Sequence, residues 1–522
     1  MIIDARSIPR GTIVETDLCI IGAGAAGITL AREFRDSPFR VALLESGGMH
    51  FDLETQELYK GRSVGDPFSD LMADRLRYFG GTTNHWGGWC LPLDAIDFEA
   101  RGDAFPYHGW PFTKAQLDPW YARAQEVCQL GPYDYRPSRW GVSRDKVPQP
   151  FGGPDFEAKI LQESPPTRFG PVYAPELHRA PRVTVYLHAN AFYLDAGETA
   201  AEVKTLAVKT LSSDQFTVRA RLYVLATGGI ENARLLLASG PEGGKGLGNA
   251  HDLVGRFFMT HLAASGGTIV PADSYRDFAF ATNDPYIPGK YRVDRILGLS
   301  PQSMRRRHLP SMILGWTYKF APVREAVDAL KRMTHGEGPG GSRLSDLSEV
   351  IANFEGVTDF LARKVLFGEG IPIEGLSLWY SFEQRPNRES RVSLGAQRDR
   401  LGMPEVVVDW RVLPEDRRNA VDTLRLLGTE IGRTGFGRFR PAWSDADKWP
   451  PDLSGNEHHM GTTRMHRDPK LGVVDADCRV HDVANLFVAG SSVFPTGGAA
   501  NPTLTIVALA LRLADHVKRL LA

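Results

Sequence analysis

The sequence TDLCIIGAGAAGITLAREF at residues 16–34, followed after a short spacer by RVALLESGG at residues 40–48, decides the fold. Residues 18–21 are a short apolar run that ends directly in glycine, which is typical of a buried parallel strand leading into a tight turn. Helix-forming residues follow at 28–34, and a second apolar run occupies residues 41–44. This order predicts a strand, a turn, a helix and a second strand, the unit from which doubly wound α/β domains are built.

Gly22, Gly24 and Gly27 form the pattern G-x-G-x-x-G within that unit. Gly22 permits the tight turn, Gly24 lets the backbone approach a pyrophosphate, and Gly27 lets the helix pack closely on the strand. The second strand ends in Glu45, close to the roughly 20-residue offset at which an acid binds a ribose. Together these features predict a dinucleotide site, and the acidic residue disfavours the 2′-phosphate of NADP. The alternative is a glycine-rich turn in an ordinary α/β domain.

Length and composition restrict the class of protein. A chain of 522 residues exceeds a single core, and a net charge of −1 provides no basic surface for nucleic acid. The cysteines are widely spaced without a C-x-x-C pair, so they predict neither a disulfide framework nor a metal site; they are Cys19, Cys90, Cys128 and Cys478.

Residues 1–17 contain neither the apolar segment of a secretory signal nor a twin-arginine pair. No uninterrupted apolar run reaches the roughly 18 residues of a membrane span. We therefore expect a cytoplasmic protein without a membrane span. Export together with a partner protein stays open as an alternative, and the sequence does not specify the oligomeric state.

Several segments predict structure around the nucleotide-binding unit. Residues 49–75 are polar and without a clear period, which predicts an excursion over the surface. Residues 75–92, RLRYFGGTTNHWGGWCLP, form a glycine-rich loop of the kind that wraps closely around a ligand. Residues 110–127 predict a helix. Strand patterns extend over residues 183–226 and lead through glycines into a helix at 230–239, so the nucleotide-binding sheet is assembled from separated segments.

Residues 255–440 have a different character and predict a second domain over the cofactor. Short connections favour antiparallel pairing between its strands, which we place at residues 254–270, 376–386, 390–397 and 406–410. Helical patches at 323–367, broken by GEGPGG at 336–341, predict a capping insertion, and residues 417–432 predict an amphipathic helix.

The C-terminal segment returns to the first domain. Residues 485–495 are another strand followed by glycine, and residues 500–517 predict a helix with Asn501 as N-cap and Pro502 at its first position. The predicted fold class is α/β: a Rossmann-like nucleotide-binding domain assembled from separated segments, plus an α+β substrate domain with a largely antiparallel sheet. The predicted boundaries are residues 1–254, 255–445 and 446–522.

Two polar stretches predict chemistry. In NEHHMGTTRM, residues 456–465, His458 and His459 are adjacent, and on an extended chain only one of them points at a given site. The simpler alternative is a hydrogen-bonded imidazole within a loop. In TGGAANPT, residues 496–503, the helix start offers free N–H groups and a partial positive charge, which would stabilise the negative charge of a reduced flavin. Simple capping by Asn501 explains the same residues.

These motifs resemble those of the glucose–methanol–choline (GMC) oxidoreductases over almost the full length of the chain. They occur in the family's order: GAGAAG with LLESGG, GGTTNHWGG, YVLATGGIENARLLL, VGRFFMTH, E-Q-x-P-N-x-x-S-R-V at residues 383–392, HHMGTTRM, and GSSVFPTGGAANPTLTI. The tail is similar to the pyranose-oxidase and bacterial sugar-dehydrogenase branch, where A-N-P-T-L-T recurs. The resemblance implies FAD as the cofactor of the first domain and the oxidation of an alcohol as the chemistry.

The resemblance also implies roles for individual residues. The family's catalytic base corresponds to His458, with His459 as the less favoured choice, and the partner of the base corresponds to Asn501. His85 corresponds to a covalent flavin attachment site of some members; here it could instead hydrogen-bond the cofactor or pack beside Trp86. The implied cofactor-binding residues are Gly22, Gly24, Gly27, Glu45, Gly81, Thr83, Asn84, His85, Ala191 (where a backbone amide contacts adenine in relatives), Ala226, Gly490, Ser491, Asn501, Pro502 and Thr503. Many relatives have an acid where this chain has Gly490-Ser491-Ser492, which leaves the ribityl contacts open.

The reaction that the resemblance implies is a hydride transfer. Substrate would bind over the re-side of the flavin with its carbinol between His458 and Asn501, and neutral His458 would take the hydroxyl proton as the hydride moves to flavin N5. The expected substrate is a sugar or glycoside that reacts through a secondary hydroxyl, with a non-sugar alcohol as the alternative. Oxygen, a quinone or a cytochrome would accept the electrons. Alternatives from other classes are a non-redox lyase that cleaves cyanohydrins on the same fold, and a non-catalytic electron carrier or binding subunit.

Overall fold

The computed structural model describes most of the chain. The described residues are 1–140, 153–212, 215–241, 244–272, 291–321, 323–335, 343–367, 371–445, 447–450 and 452–522. The break predicted at GEGPGG, residues 336–341, lies outside them.

The strands and helices of the described residues are numbered here in chain order. The strands are β1 (Ile2–Asp4), β2 (Ile13–Ile21), β3 (Val41–Leu44), β4 (Gly61–Gly65), β5 (Trp89–Cys90), β6 (Phe156–Glu163), β7 (Val183–Leu187), β8 (Asn190–Asp195), β9 (Thr205–Lys209), β10 (Gln215–Leu225), β11 (Leu262–Pro271), β12 (Arg292–Leu299), β13 (Met312–Phe320), β14 (Ile373–Phe382), β15 (Arg391–Arg398), β16 (Pro404–Trp410), β17 (Gly437–Pro441), β18 (Ser454–Gly455) and β19 (Leu486–Val488). The helices are α1 (Ala25–Glu33), α2 (Leu53–Gln56), α3 (Lys114–Val127), α4 (Phe169–Arg179), α5 (Gly228–Leu237), α6 (Pro301–Arg307), α7 (Val323–His335), α8 (Arg343–Ala352), α9 (Phe354–Phe367), α10 (Pro414–Arg433) and α11 (Thr503–Leu521).

The first sheet has the strand order β1-β7-β3-β2-β10-β9-β8, with β19 beside β10. Its central pairs, β3 with β2 and β2 with β10, are parallel, and β9 and β8 add an antiparallel edge. Buried apolar side chains fill residues 18–21 of β2 and all of β3, as both faces of a parallel sheet require. Strands from both ends of the sequence share this sheet, which confirms that it is assembled from separated segments.

The second sheet has the order β17-β11-β14-β13-β12-β6-β5, with β18 beside β11. All of the pairings between its described strands are antiparallel. The predicted α/β fold class with an additional antiparallel sheet is therefore confirmed. The domain boundaries at 254 and 445 stay a prediction.

Several element predictions were wrong in detail. Residues 49–75 do not merely cross the surface: they contain α2, and β4 pairs in parallel with β16. The predicted β15–β16 hairpin exists, but with β4 it forms a separate three-stranded sheet. The run 254–270 becomes a strand only from Leu262, and the helix predicted from residue 110 begins at Lys114, where a Thr113–Gln116 capping box sets its start.

The helices confirm most of the remaining pattern. The insertion at 323–367 contains α7, α8 and α9, and the amphipathic helix predicted at 417–432 is α10. Helix α11 packs against both α1 and α3, so the last helix of the chain covers the first nucleotide-binding unit. Within the described ranges, no helix combines the length and the apolar character that crossing a bilayer requires.

Candidate active site

A cavity of about 770 Å³ lies at the carboxyl ends of the parallel strands of the first sheet. Its walls include the end of β2, the start of α1, the glycine-rich loop after residue 75, the loop before α5 and the start of α11. Ligands of open α/β sheets bind at this edge. The cavity is therefore where a dinucleotide cofactor and its substrate would meet.

The three glycines of the predicted motif have the three expected environments. Gly22 has φ +103°, and a Cβ there would come within 2.6 Å of the Ala226 carbonyl oxygen. A Cβ at Gly27 would come within 1.8 Å of the Gly22 carbonyl oxygen, because α1 packs directly on the turn. At Gly24, which lines the cavity, a Cβ would meet no described atom within 4 Å. Gly22 and Gly27 thus serve the packing of the turn, and Gly24 leaves room for a ligand.

Glu45 lies on the cavity wall and is buried. Its Oε2 accepts the Ala23 N–H at 3.0 Å, and its Oε1 accepts the Gly47 N–H at 3.0 Å. Burial raises the pKa of this carboxyl above its usual value. The carboxyl therefore holds the glycine turn and the end of β3 together at the place where a ribose is expected.

The start of α11 differs from the prediction. Pro502 occupies the N-cap position with φ −73° and ψ −18°, and its carbonyl accepts the Ile506 N–H at 2.8 Å. Among the described residues, no side chain caps this end or the N-terminus of α1. Asn501 is not the cap because its amide points to His458 instead, with 3.4 Å between Nδ2 and Nε2. The first N–H groups of both helices thus stay available to a ligand.

His458 lies on the cavity wall between two partners. Its Nδ1 is 2.9 Å from Nδ1 of His261, and Nε2 of His261 is 3.5 Å from the Gly497 carbonyl oxygen. A carbonyl only accepts, so this contact assigns the proton of His261 to Nε2 and leaves its Nδ1 as an acceptor. His458 then donates from Nδ1, and its Nε2 is an acceptor that faces the Asn501 amide nitrogen at 3.4 Å. This is the tautomer that a general base requires.

Both imidazoles are held in the neutral form. Burial lowers the pKa of His261 to about 4. Burial, together with the neighbouring His261 and His459, lowers the pKa of His458 well below its usual value. Burial and the charge that a protonated neighbouring imidazole would carry both lower the pKa of His458, because each disfavours the imidazolium form. His458 can therefore accept a proton without first having to lose one.

His459 has a different environment, although it is the next residue. Its ring stacks against Phe258 with 5.9 Å between the ring centroids, and its Nε2 is 3.7 Å from Asp74. The alternation of an extended chain separates the two histidines, as expected. The ring of His459 thus packs between its aromatic neighbour and a carboxylate, whereas His458 meets Asn501.

Most of the predicted cofactor residues lie on the wall of the same cavity. They are Gly22, Gly24, Glu45, Gly81, Thr83, His85, Ala191, Ala226, Gly490, Ser491, Asn501, Pro502 and Thr503. Gly27 lies behind the wall in the contact between helix and strand, and Asn84 donates from Nδ2 to the Phe79 carbonyl within its own loop at 2.8 Å. A covalent link at His85 stays a prediction.

Sequence reasoning did not select two groups of residues at the cavity. His261 was visible only as the last letter of VGRFFMTH, a segment to which the resemblance gave no catalytic role. Arg75 and Arg77 line the cavity beside buried Glu231, at 2.8 Å and 3.5 Å from its carboxylate. The arginines were part of the predicted loop, but their partner on α5 comes from a distant part of the chain. This pairing fixes two cations next to the predicted ribose site.

The cavity suits FAD in shape and in chemistry. Four glycines line the cavity with free space where a Cβ would lie, since it would meet no described atom within 4 Å: Gly24, Gly87, Gly228 and Gly490. The N–H groups at the start of α1 suit a pyrophosphate, Glu45 suits a ribose, and the start of α11 suits the negative edge of a reduced ring. The donor set thus matches both ends of a flavin dinucleotide.

Comparison with known proteins shows which family the chain resembles. Residues 386–510 match the C-terminal family model described as "GMC oxidoreductase". The 2-methyl-1,2-propanediol dehydrogenase of Mycolicibacterium austroafricanum is 24% identical and covers 97% of this chain and 95% of its own. The 6‴-hydroxyparomomycin C oxidase of Streptomyces lividus is 27% identical, with 96% and 92% coverage. Residues 386–510 are thus similar to the C-terminal domain of GMC oxidoreductases, and the two relatives are similar to the chain over almost its full length.

Two further similarities concern a glycoside oxidase and a solved structure. The C-glycoside 3-oxidase of Arthrobacter globiformis is 35% identical over 36% of this chain and 38% of its own. Among solved structures, an FAD-dependent oxidoreductase from Chaetomium thermophilum superposes with a TM-score of 0.58 at 14% identity, covering 97% of this chain and 99% of its own. The structural similarity establishes the shared fold. The family-model match and the full-length similarity to a dehydrogenase and an oxidase together support an FAD-dependent oxidoreductase that acts on an alcohol donor.

Proposed function

We propose that this enzyme oxidises a secondary hydroxyl of a sugar or glycoside to a carbonyl, with His458 as the general base. The supporting observation is the arrangement of His458, whose acceptor Nε2 lies next to Asn501 at the start of α11. The same cavity contains the glycine turn of a dinucleotide site. The base, the orienting amide and the cofactor site thus line one cavity.

In this proposal each residue has a defined task. His458 removes the hydroxyl proton at Nε2 while its Nδ1–H stays bonded to His261. Asn501 donates an amide hydrogen to the substrate oxygen and so holds the carbinol in position. FAD, when bound, supplies the acceptor for the hydride of the carbinol carbon. The uncapped start of α11 stabilises negative charge in its vicinity, because its N–H groups and dipole act without reorganisation.

The substrate class is supported by the relatives. One full-length relative is named for a hydroxyparomomycin, and a partial one for the 3-position of C-glycosides. The 2-methyl-1,2-propanediol dehydrogenase favours a second candidate, a small non-sugar alcohol, at similar coverage. We favour the glycoside because the tail A-N-P-T-L-T belongs to the sugar-oxidising branch in the resemblance described above. Oxygen, a quinone or a cytochrome as electron acceptor stays a prediction.

A single experiment tests this proposal. The holoenzyme is mixed anaerobically with methyl glycosides, C-glycosides, free sugars and 1,2-diols, and the loss of the oxidised flavin absorbance is followed. We expect glycosides to bleach the flavin faster than diols, and subsequent mixing with air to show whether oxygen restores the colour. Bleaching by diols alone would replace the glycoside with the second candidate. If no alcohol bleaches the flavin while a cyanohydrin is cleaved, the redox assignment is wrong and the lyase alternative holds.

The role of His261 gives a separate prediction. His261→Leu leaves the Nδ1–H of His458 without its acceptor, and a buried donor without a partner costs about 1–3 kcal/mol. We expect anaerobic flavin reduction to slow by roughly 5- to 150-fold. His261→Asn keeps an acceptor oxygen and should recover most of the rate. Equal loss in both variants would show that packing, rather than the hydrogen bond, explains the effect.

A further inference from the structure

Two tryptophans form a stacked pair at the cavity. Trp89 on β5 and Trp379 on β14 have ring centroids 5.3 Å apart and an interplanar angle of 26°. Trp89 lines the cavity and is 37% exposed, which is unusual for so large an aromatic side chain. A Cβ at Gly315, opposite Trp379 on β13, would come within 2.3 Å of its ring. The glycine thus leaves the space in which this ring lies.

The pair shows that the second sheet is strongly curved. Strands β13, β12 and β6 separate β14 from β5 in the strand order. In a flat sheet those two strands would be about 19 Å apart, at about 4.8 Å per strand. Ring contact across that separation requires the sheet to curl around the face with both tryptophans. This face is therefore concave, and Trp89 lies where it meets the cavity.

Carboxylates lie on the same face beside the tryptophans. Glu163 is the direct cross-strand partner of Trp89, and Arg292 is the direct partner of Glu163. Direct partners share a face of the sheet, as do residues two apart along a strand, so Asp294 belongs to the same row. Burial and a hydrogen bond with Glu163 raise the pKa of Asp294 to about 7. Arg292 binds the Glu163 carboxylate with 3.1 Å between Nε and Oε2, so the two carboxyl groups and this guanidinium form a polar cluster next to the exposed ring.

We propose that Trp89, stacked on Trp379 and flanked by Glu163 and Asp294, is the binding subsite for a second, hydroxylated ring of a glycoside substrate. This inference rests on the proposed function, because it assumes that the ring to be oxidised lies beside His458. It adds the preference for a two-ring substrate, which the catalytic residues do not determine.

The chemistry of the subsite matches a sugar ring. The C–H face of a pyranose is apolar and flat, so it stacks on an exposed indole and removes apolar surface from water. The edge of the ring presents hydroxyl groups, and carboxylates accept strong charge-assisted hydrogen bonds from such donors. A purely aromatic group would use the indole alone. The combination of ring and acids therefore favours an oligosaccharide or a sugar-bearing aglycone.

The test compares disaccharides of different linkage, each paired with the methyl glycoside of its nonreducing ring. Binding is measured by calorimetry on dithionite-reduced holoenzyme, which cannot oxidise the sugar, and flavin bleaching is measured separately on oxidised holoenzyme. We expect Trp89→Ala to raise the Kd of the preferred disaccharide about tenfold and that of its methyl glycoside less than twofold. Trp89→Phe should retain part of the affinity, and Glu163→Gln should raise the Kd about threefold.

Trp449→Phe serves as the matched control, because the Trp449 ring packs on Trp443, with 5.8 Å between the ring centroids, and on Arg417 of α10. Equal Kd values for wild type and Trp89→Ala with every disaccharide, or no disaccharide binding at all, would overturn the subsite. If those Kd values are equal but glycosides still bleach the flavin, the subsite is wrong and the proposed function stands. Trp89-dependent binding without any bleaching would support the subsite and refute the proposed oxidation of glycosides.

Discussion

His458→Ala is expected to slow anaerobic flavin reduction by roughly 10²–10⁴-fold, the usual contribution of a general base. The reason is geometric, because Nε2 of His458 is the acceptor beside Asn501 and its Nδ1 is held by His261. The purified variant should keep its bound FAD, since the glycine turn of α1 and Glu45 are separate from this imidazole. Stopped-flow absorbance with a saturating alcohol measures the rate, and the spectrum of the resting protein measures the retained flavin.

His459→Gln provides the matched control, because this neighbouring ring packs on Phe258 beside Asp74. We expect it to change the rate by less than tenfold. The pH profile of the wild type gives a second check: the base acts in its neutral form, which predominates above its pKa. With that pKa well below 6.5, reduction should be constant from about pH 8 to pH 6 instead of falling near pH 6.5. An undiminished rate in His458→Ala would assign the base elsewhere.

How much of this structure could be predicted from the sequence depends on how far apart in the chain the interacting residues lie. The turn at Gly22, Gly24 and Gly27 was predictable because its geometry depends on neighbours a few residues away. The capping role of Asn501 was wrong because local preference competes with a tertiary partner, and His458 lies close enough to orient the amide. His261 could not be selected, because its contact with His458 spans 197 positions and leaves no local pattern.

The same distinction explains the sheets. Strands β2 and β3 were evident because burial on both faces produces continuous apolar runs. Strand β4 was missed because its residues are mostly exposed and its pairing with β16 is made only in the folded chain. The curvature that brings Trp89 to Trp379 likewise depends on the cumulative twist of several strands, which no single segment encodes.

Gly24→Val is expected to separate cofactor binding from folding. The backbone at this residue is extended, with φ −86° and ψ −162°, so a side chain introduces no strain there. A Cβ would meet no described atom within 4 Å and would project into the space for the dinucleotide. Crowding of this kind costs about 1–3 kcal/mol, which would weaken FAD binding by roughly 5- to 150-fold. Titration of the apoprotein with FAD measures the affinity, and thermal unfolding of the apoprotein should match the wild type.

Gly27→Ala is the informative comparison, because it adds fewer atoms to the same turn. Its Cβ would come within 1.8 Å of the Gly22 carbonyl oxygen, so α1 could no longer pack on the end of β2. We expect this variant to lower the unfolding temperature of the apoprotein and to lose FAD as a consequence. If Gly24→Val bound FAD as tightly as the wild type, the start of α1 would not border the cofactor. If Gly24→Val lowered the unfolding temperature of the apoprotein as much as Gly27→Ala does, Gly24 would be needed for packing as well.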